Sequence, residues 1–156
     1  MKRINCILLI FAGCFLIFSS CKKSGANPPI PQTLATSISL EYGGRLFLSP
    51  NAVAVFYKPQ DALQITAQFD NITSITIVIT NVGTGTFDLS RGNIVLSFAD
   101  GLNGPDSFVS VSGSLAITQF SSTSIVGSFQ FSGTDSMNVT RQITNGQFVT
   151  SYSTVL

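Results

Sequence analysis

The sequence predicts an all-β domain, an antiparallel meander of about eight to ten strands that closes as a β-sandwich or a flattened β-barrel. Three observations predict this class. Apolar residues recur at every second position over most of the chain after residue 33. Turn-forming residues separate these runs, and no window places apolar residues three and four apart behind a helix cap. The short gaps favour hairpins between sequence neighbours.

Eight alternating runs define the expected strands in chain order. Each run has apolar residues on one face and mostly Ser, Thr, Gln or Asn on the other, which is typical of strands with one buried and one solvated side. The expected inward residues are Ile38, Leu40 and Tyr42; Val53, Val55 and Tyr57; Leu63, Ile65, Ala67 and Phe69; Ile75, Ile77 and Ile79; Ile94, Leu96 and Phe98; Val109 and Val111; Leu115 and Ile117; and Ile125, Phe129 and Phe131.

Glycine, asparagine and aspartate lie between these runs, because they tolerate the backbone angles of tight turns. Gly127 stands at an inward position, where a missing side chain suits a bend or an aromatic ring stacked over the backbone. Asn145-Gly146 suits a tight turn or a bulge. Turns are expected at 42–45, 70–71, 81–83, 91–93, 101–106, 121–123, 133–135 and 145–146.

The first residues have the layout of a signal peptide. Lys2 and Arg3 precede an apolar run over 6–18 and the small pair Ser19-Ser20. The 13 residues of this run reach roughly 20 Å as a helix, which is short of the ~30 Å hydrocarbon core of a bilayer. A lipoprotein signal peptide over residues 1–20 is therefore favoured over a transmembrane anchor.

The next segment resembles a bacterial lipobox, because Cys21 directly follows two small residues. In such signals the thiol receives a diacylglyceryl group, the chain is cut after Ser20 and the new amine is acylated. Phe18 stands where Leu is usual. Two or three acyl chains would hold the protein on a membrane. Two alternatives stay open: Cys14 as the acceptor in the match at 11–14, and ordinary cleavage near Ser20, which releases a soluble secreted protein.

After the signal peptide, composition divides the chain into a linker and one domain. Residues 21–32 comprise the lipidated cysteine and a flexible linker, since prolines interrupt any apolar period there. The remaining 33–156 form a single all-β domain, long enough for one core. The chain has three cysteines, all within its first 21 residues, so the domain is expected to fold without a disulfide.

Charge and residue content argue against several functions. Removal of Lys2 and Arg3 leaves six of the eight basic residues against seven acidic ones, and nucleic-acid binding requires clustered cations. The chain has no histidine, and its cysteines all precede the domain, so the domain lacks the usual general base, thiol nucleophile and zinc ligands. The loop 100–106 carries oxygen ligands but does not fit a calcium-loop pattern. We expect no catalytic residue, no metal site, no cofactor and no enzyme activity.

Four segments of the C-terminal half have the most characteristic sequences. They are GTGTFDLS at 83–90, GSLAITQF at 113–120, IVGSFQFSG at 125–133 and ITNGQFVTSY at 143–152. In this order they resemble a family of small Bacteroidetes envelope lipoproteins with a β-rich domain of unknown function. The resemblance implies an outer-membrane lipoprotein of the cell envelope and brings no catalytic residue. Lys22-Lys23 stand where surface-exposed lipoproteins of that phylum often have acidic residues, which favours a periplasm-facing position over the cell surface.

One further segment resembles a modification site. Asp135-Ser136-Met137 is similar to the Asp-Ser/Thr-apolar acceptor at which the same phylum attaches O-glycans to envelope proteins. Ser136 is therefore a candidate O-glycosylation site. The alternative is an unmodified turn.

The sequence favours a lipid-anchored, non-catalytic interaction or structural module. Its expected partners are the membrane, through acyl chains on Cys21, and an envelope protein. The alternative is a β-barrel that binds a small apolar ligand inside, since ten of the thirteen phenylalanines lie after the signal peptide. A packed interior with an open apolar edge would favour the first, and a large empty interior the second.

Overall fold

The computed structural model describes residues 36–101 and 106–156. The expected signal peptide, Cys21 and the linker lie outside these residues. The described part contains ten strands and two single-turn 3-10 helices, so the all-β class is confirmed. The strands are β1 Ser37–Tyr42, β2 Arg45–Ser49, β3 Val53–Tyr57, β4 Ala62–Gln68, β5 Thr73–Thr80, β6 Gly85–Asp88, β7 Ile94–Asp100, β8 Phe108–Phe120, β9 Ser124–Thr134 and β10 Thr140–Val155; the helices are Lys58–Gln60 and Leu89–Arg91. No helix among these residues has the length and apolar character needed to span a bilayer.

The ten strands belong to one sheet that closes on itself. Their order is β2-β1-β10-β3-β4-β5-β7-β8-β6, and β9 joins β10 to β8. The resulting ring is not a regular barrel and is consistent with a β-sandwich. Strand β10 pairs in parallel with β3 and antiparallel with β1, so the last strand of the chain lies between elements from its beginning. Hairpin spacing does not indicate this long-range contact.

Aliphatic and aromatic side chains fill the interior. The Phe98 ring lies 4.9 Å from the ring centroid of Tyr42, 5.7 Å from that of Phe108 and 6.0 Å from that of Phe47. Close packing of this kind is the main stabilising feature of a small domain without disulfides. The largest side chains with almost no exposure are Phe98, Phe131, Phe148, Ile38, Leu40, Leu63, Ile65, Ile75, Ile77, Ile79, Ile94 and Leu96.

The expected inward face of β3 is wrong by one residue. Ala54 is buried and Phe56 packs against the core, whereas Val53 is 65% exposed and Tyr57 lies at the surface. Apolar residues occupy both faces of this strand, so alternation cannot tell which face is buried. A one-residue change of phase turns every side chain to the other face.

The expected strands around Val109 and Leu115 form a single bent strand, β8. Leu115 and Ile117 are buried as predicted, but Val109 and Val111 are 50% and 62% exposed. The register with β9 shifts just after Ser110. A β-bulge at this point inserts an extra residue and changes which side chains face the core, so the prediction for the two valines is wrong.

Two glycine predictions are confirmed. A Cβ atom on Gly127 would lie 2.5 Å from ring atom Cζ of Phe148 and closer still to the carbonyl oxygen of Ala116, so the ring does stack over the bare backbone. Asn145 has a φ of 51°, and the register of β10 with β9 shifts just before Gly146. Asn145-Gly146 therefore forms a bulge within β10 rather than a turn between strands.

Candidate functional site

Strand β2 lies at one end of the strand order and pairs only with β1 within the described sheet. The turn 43–44 that joins them has φ angles of 59° and 75°, as in the type I′ turn of a two-residue hairpin. In such a hairpin the flanking residues, Tyr42 and Arg45, form a hydrogen-bonded pair, and bonded pairs then alternate along the ladder. The backbone N–H and C=O groups of Leu46 and Leu48 therefore point away from β1.

The same two leucines expose their side chains on the outer face of the sheet. Leu46 is 65% exposed and Leu48 is 61% exposed, while Phe47 between them is buried. The guanidinium carbon of Arg45 lies 4.7 Å from the centroid of the Phe47 ring. We call the free edge of β2 with Leu46 and Leu48 the β2 edge. Exposed apolar side chains on an unpaired strand are typical of a contact surface.

Strand β2 is not among the strands that the sequence predicts. A signal for it exists, because the apolar Leu46-Phe47-Leu48 begins two residues after the Gly-Gly pair. Whether a strand lies at an edge depends on the order of strands in the sheet, which local sequence does not show.

The other end of the strand order has a different character. Strand β6 pairs only with β8 in the described sheet, and it is four residues long. The Asp88 carboxylate accepts hydrogen bonds from the backbone N–H of Ser90 at 2.9 Å and from its hydroxyl at 2.8 Å, and these bonds lower the pKa of Asp88. A short strand that ends in a charged residue is well suited to face solvent.

Ser136 lies exposed in the turn between β9 and β10, so its hydroxyl is accessible. The preceding Asp135 is enclosed. Its carboxylate accepts hydrogen bonds from the backbone N–H of Met137 at 2.8 Å, from that of Val139 at 2.9 Å and from Nε of Arg141 at 2.8 Å. Asp135 therefore organises the turn and presents Ser136 at its apex.

The surrounding groups keep Asp135 ionised. The backbone N–H of Val139 is the main reason that the pKa of Asp135 lies below its ordinary value, and the Arg141 side chain acts in the same direction. The bond to Asp135 also raises the pKa of Arg141. Arg141 forms a second ion pair with Asp106 at 2.5 Å. One arginine thus ties this turn to the start of β8.

We expect stability to depend on Asp135 at low pH. The unfolded chain binds more protons than the folded one below about pH 4, because the pKa of Asp135 is lower in the folded state. Its contribution is complete above that pH and is lost as the pH falls through the folded-state pKa. Asp135→Asn should lower the melting temperature at neutral pH by roughly 5–10 °C and flatten the loss of stability in acid. Thermal melts over a pH series would measure both.

The control for this prediction is Asp61→Asn, an exposed aspartate at the end of the first 3-10 helix. Asparagine tolerates the φ of 45° found there, so this variant should melt within about 2 °C of the parent. If the melting temperature fell equally steeply toward low pH in the parent and in Asp135→Asn, the acid sensitivity would not come from Asp135.

Other carboxylates are also bound in local structure. The Asp70 carboxylate accepts hydrogen bonds from the backbone N–H of Ile72 at 2.9 Å and of Thr73 at 2.7 Å, which lower its pKa. Asp100 accepts a hydrogen bond from the Thr73 hydroxyl at 3.0 Å. Over residues 36–101 and 106–156, no group of three or more His, Cys, Asp or Glu side chains is placed to hold a metal ion.

The surface of the sheet has open grooves of mixed polarity. One of about 280 Å³ crosses the outer face of β8, β9 and β10, and serine, glutamine and asparagine side chains form much of its lining. In the described residues, every buried side-chain nitrogen and oxygen has a hydrogen-bond partner. No buried polar side chain of this part is therefore free to orient a ligand inside the sheet.

Comparison with known proteins assigns this domain to a family. Comparison with curated proteins and with solved structures gives no match. Residues 36–151 match a family described as a domain of unknown function, DUF6252. This match begins just before β1 and extends into β10, so it covers all ten strands in whole or in part. The chain therefore belongs to the DUF6252 family.

Proposed function

We propose that this chain is a lipid-anchored, non-catalytic module of the bacterial cell envelope that docks on a protein partner through the β2 edge. The observation that carries the proposal is the exposure of Leu46 and Leu48 beside backbone groups that pair with no strand among residues 36–101 and 106–156. Such an edge can add a strand from a partner, because main-chain hydrogen bonds supply affinity and outward side chains supply specificity.

The filled interior supports docking over the alternative of a small apolar ligand. Phe108 contacts Phe131 with ring centroids 5.5 Å apart, and Phe129 stacks on Phe148 at 6.3 Å. The phenylalanines that suggested a ligand cavity are thus in contact with one another. Ligand sites are usually enclosed, mostly apolar cavities of about 300–1,000 Å³, whereas the groove across β8, β9 and β10 is open and mixed in polarity. Ligand binding is therefore the second candidate.

The sequence supports the membrane anchor. A basic start, a short apolar run and two small residues precede Cys21. The linker to residue 32 would hold the domain at most about 35 Å from the lipid at ~3.1 Å per residue. We place the protein on the outer membrane, with the domain in the periplasm rather than on the cell surface, because basic residues follow Cys21.

Ser136 is part of the same proposal as an O-glycan acceptor. Ser136 is exposed at the apex of the β9–β10 turn, which supports this role. A sugar attached there would point into solvent and leave the turn undisturbed. The hydrogen bonds of Asp135 define the shape of this turn. An enzyme that attaches the glycan after folding would therefore meet Ser136 in a turn of defined shape.

The test is to purify the protein from its own membranes, denature it and measure the mass of the intact chain. The expected mass is that of residues 21–156 plus a diacylglyceryl group, an amide-linked acyl chain and any glycan. Cys21→Ser should lose the lipid mass, since no thiol remains to receive the diacylglyceryl group. Ser136→Ala should lose only the glycan mass.

Cys14→Ser is the matched control for the anchor, because it changes the competing cysteine of the signal peptide and should leave the mass unchanged. A soluble mature chain without lipid, or an anchor that depends on Cys14, would contradict the proposed attachment. An unmodified peptide around Ser136 from the native host would contradict the glycan.

A further inference from the structure

We infer that the partner at the β2 edge is a second copy of this chain, joined by antiparallel pairing of the two β2 strands about a two-fold axis at Phe47. The inference rests on the proposed function, because it names the partner of the same edge. It follows from the self-complementarity of the edge in backbone, side chains and charge.

The backbone groups match in this register. Leu46 lies opposite Leu48 of the second copy, and Leu48 lies opposite Leu46 of that copy. Both residues direct N–H and C=O outward, so each of these two pairs exchanges two hydrogen bonds. The four bonds use the free groups of both leucines, and Phe47 lies at the axis as the non-bonded pair between them.

The side chains match as well. The four leucines of the two copies meet on the outer face of the joined sheet, where each is now more than half exposed. Phe47 points to the opposite face and stays in the core of its own copy. A two-fold contact needs one surface patch that complements itself, and a pair of leucines spaced by two residues on an edge strand is such a patch.

The ends of β2 select this register. The turn 43–44 closes one end, and Pro50, which has no N–H to donate, follows the other. Moving the axis by one residue along the strand places Pro50 or turn residue Gly44 opposite a leucine. A shift of the pairing by one residue would place outward and inward backbone groups opposite each other and lose the ladder.

Charge is compatible with a second copy. The β2 strand carries a single charged residue, Arg45, which lies opposite Ser49 of the second copy, so the two arginines occupy opposite ends of the contact. Glu41 on β1 lies beside Leu46 on β2. The two β2 strands lie between Glu41 of one copy and Glu41 of the second copy and keep them more than about 14 Å apart. By contrast, Asp88 makes the β6 edge unsuited to self-pairing.

The contact is small, since β2 has five residues. An interface of this size is expected to be weak in dilute solution. Lipid anchors would confine copies to one membrane and raise their effective concentration. The dimer is therefore expected on the membrane.

The experiment uses the full chain in its native membranes. Two forms with different epitope tags, one Leu46→Cys and one Leu48→Cys, are expressed together and oxidised with diamide. We expect a disulfide-linked dimer that carries both tags and has the mass of two chains, because bonded partners in an antiparallel pair have Cα atoms about 5.5 Å apart, within disulfide reach. The thioether on Cys21 removes that thiol from the reaction.

Two controls fix the register and the surface. Leu46→Cys expressed alone should give at least about fivefold less dimer, because the two copies of this residue are offset by two positions and lie beyond the ~7 Å limit for a disulfide. Val109→Cys with Val111→Cys tests a strand with similar exposure, 50% and 62%, but with neighbours in the sheet. This pair should give no cross-linked dimer.

Failure to form the mixed dimer, or an equal yield from Leu46→Cys alone, would overturn the inference. Cross-linking of the edge to a different protein would also overturn it, while leaving the proposed docking function intact. Membrane retention and lipid mass are measured on the same samples, so a failure of the anchor is seen separately from a failure of β2 pairing.

Discussion

Replacing Phe98 by alanine is expected to destabilise the domain by about 3–5 kcal/mol. Phe98 is 1% exposed and contacts the rings of Tyr42, Phe47 and Phe108. Removing it deletes buried apolar surface and leaves a cavity that its neighbours can fill only in part, because each is held by its own strand. Equilibrium unfolding in urea would measure the change.

The control for Phe98→Ala is Leu48→Ala, which removes a side chain that is 61% exposed and should change stability by less than about 0.5–1 kcal/mol. The cavity variant should also bind a small apolar probe such as benzene, as dry apolar cavities do, whereas the parent should not. A loss below about 1 kcal/mol for Phe98→Ala, or probe binding by the parent, would favour an interior built for a ligand.

Gly127→Ala is expected to cost about 2–3 kcal/mol, which is unusual for the addition of one methyl group. The new Cβ would meet ring atoms of Phe148 at 2.5 Å and 2.8 Å and the backbone oxygen of Ala116 at an even shorter distance. The ring is 1% exposed and the oxygen belongs to the neighbouring strand β8. Neither can move without disturbing the core or the β8–β9 ladder.

Gly83→Ala is the matched control, since no atom lies within 4 Å of the Cβ position there and its φ is not in the left-handed range. This variant should be neutral or slightly stabilising, by up to about 1 kcal/mol. Adding Phe148→Leu to Gly127→Ala should recover part of the loss, because the two sites are in contact and their effects are not additive. Equal unfolding free energies for Gly127→Ala and Gly83→Ala would contradict the stacked ring.

Much of the fold could be predicted from local sequence. Strict alternation in Leu63, Ile65 and Ala67 identified β4, and the Gly-Gly pair identified the turn after β1. Gly127 was predicted to suit a bend or a ring stacked over the backbone, because it stands at an inward position of an alternating run. These features depend on residues close in sequence, where strand period and turn geometry act directly.

The remaining features depend on long-range packing. The face of β3 was wrong because Val53 and Phe56 are both apolar, and only the neighbours β10 and β4 decide which of them is buried. The exposure of Val111 follows from a bulge that no single residue indicates. The parallel contact of β10 with β3 joins residues about a hundred positions apart, beyond the reach of any hairpin rule.

The candidate site was predicted less completely than the fold. Ser136 was proposed from its acceptor-like sequence, and its exposed turn suits that role. The enclosure of Asp135 was not foreseen, because its partner Arg141 lies on the next strand. The β2 edge was missed, since an unpaired edge is a property of the assembled sheet.

We propose that this chain acts by docking on another chain and holds no ligand inside. Native mass spectrometry of the protein extracted from its own membranes tests it most directly, by comparing the native assembly with the denatured chain. We expect a native mass made up of lipidated chains alone, one or two according to whether the weak β2 contact survives extraction, with no added small molecule. A native mass of one chain plus a few hundred daltons, lost on denaturation, would contradict it and identify a bound small molecule.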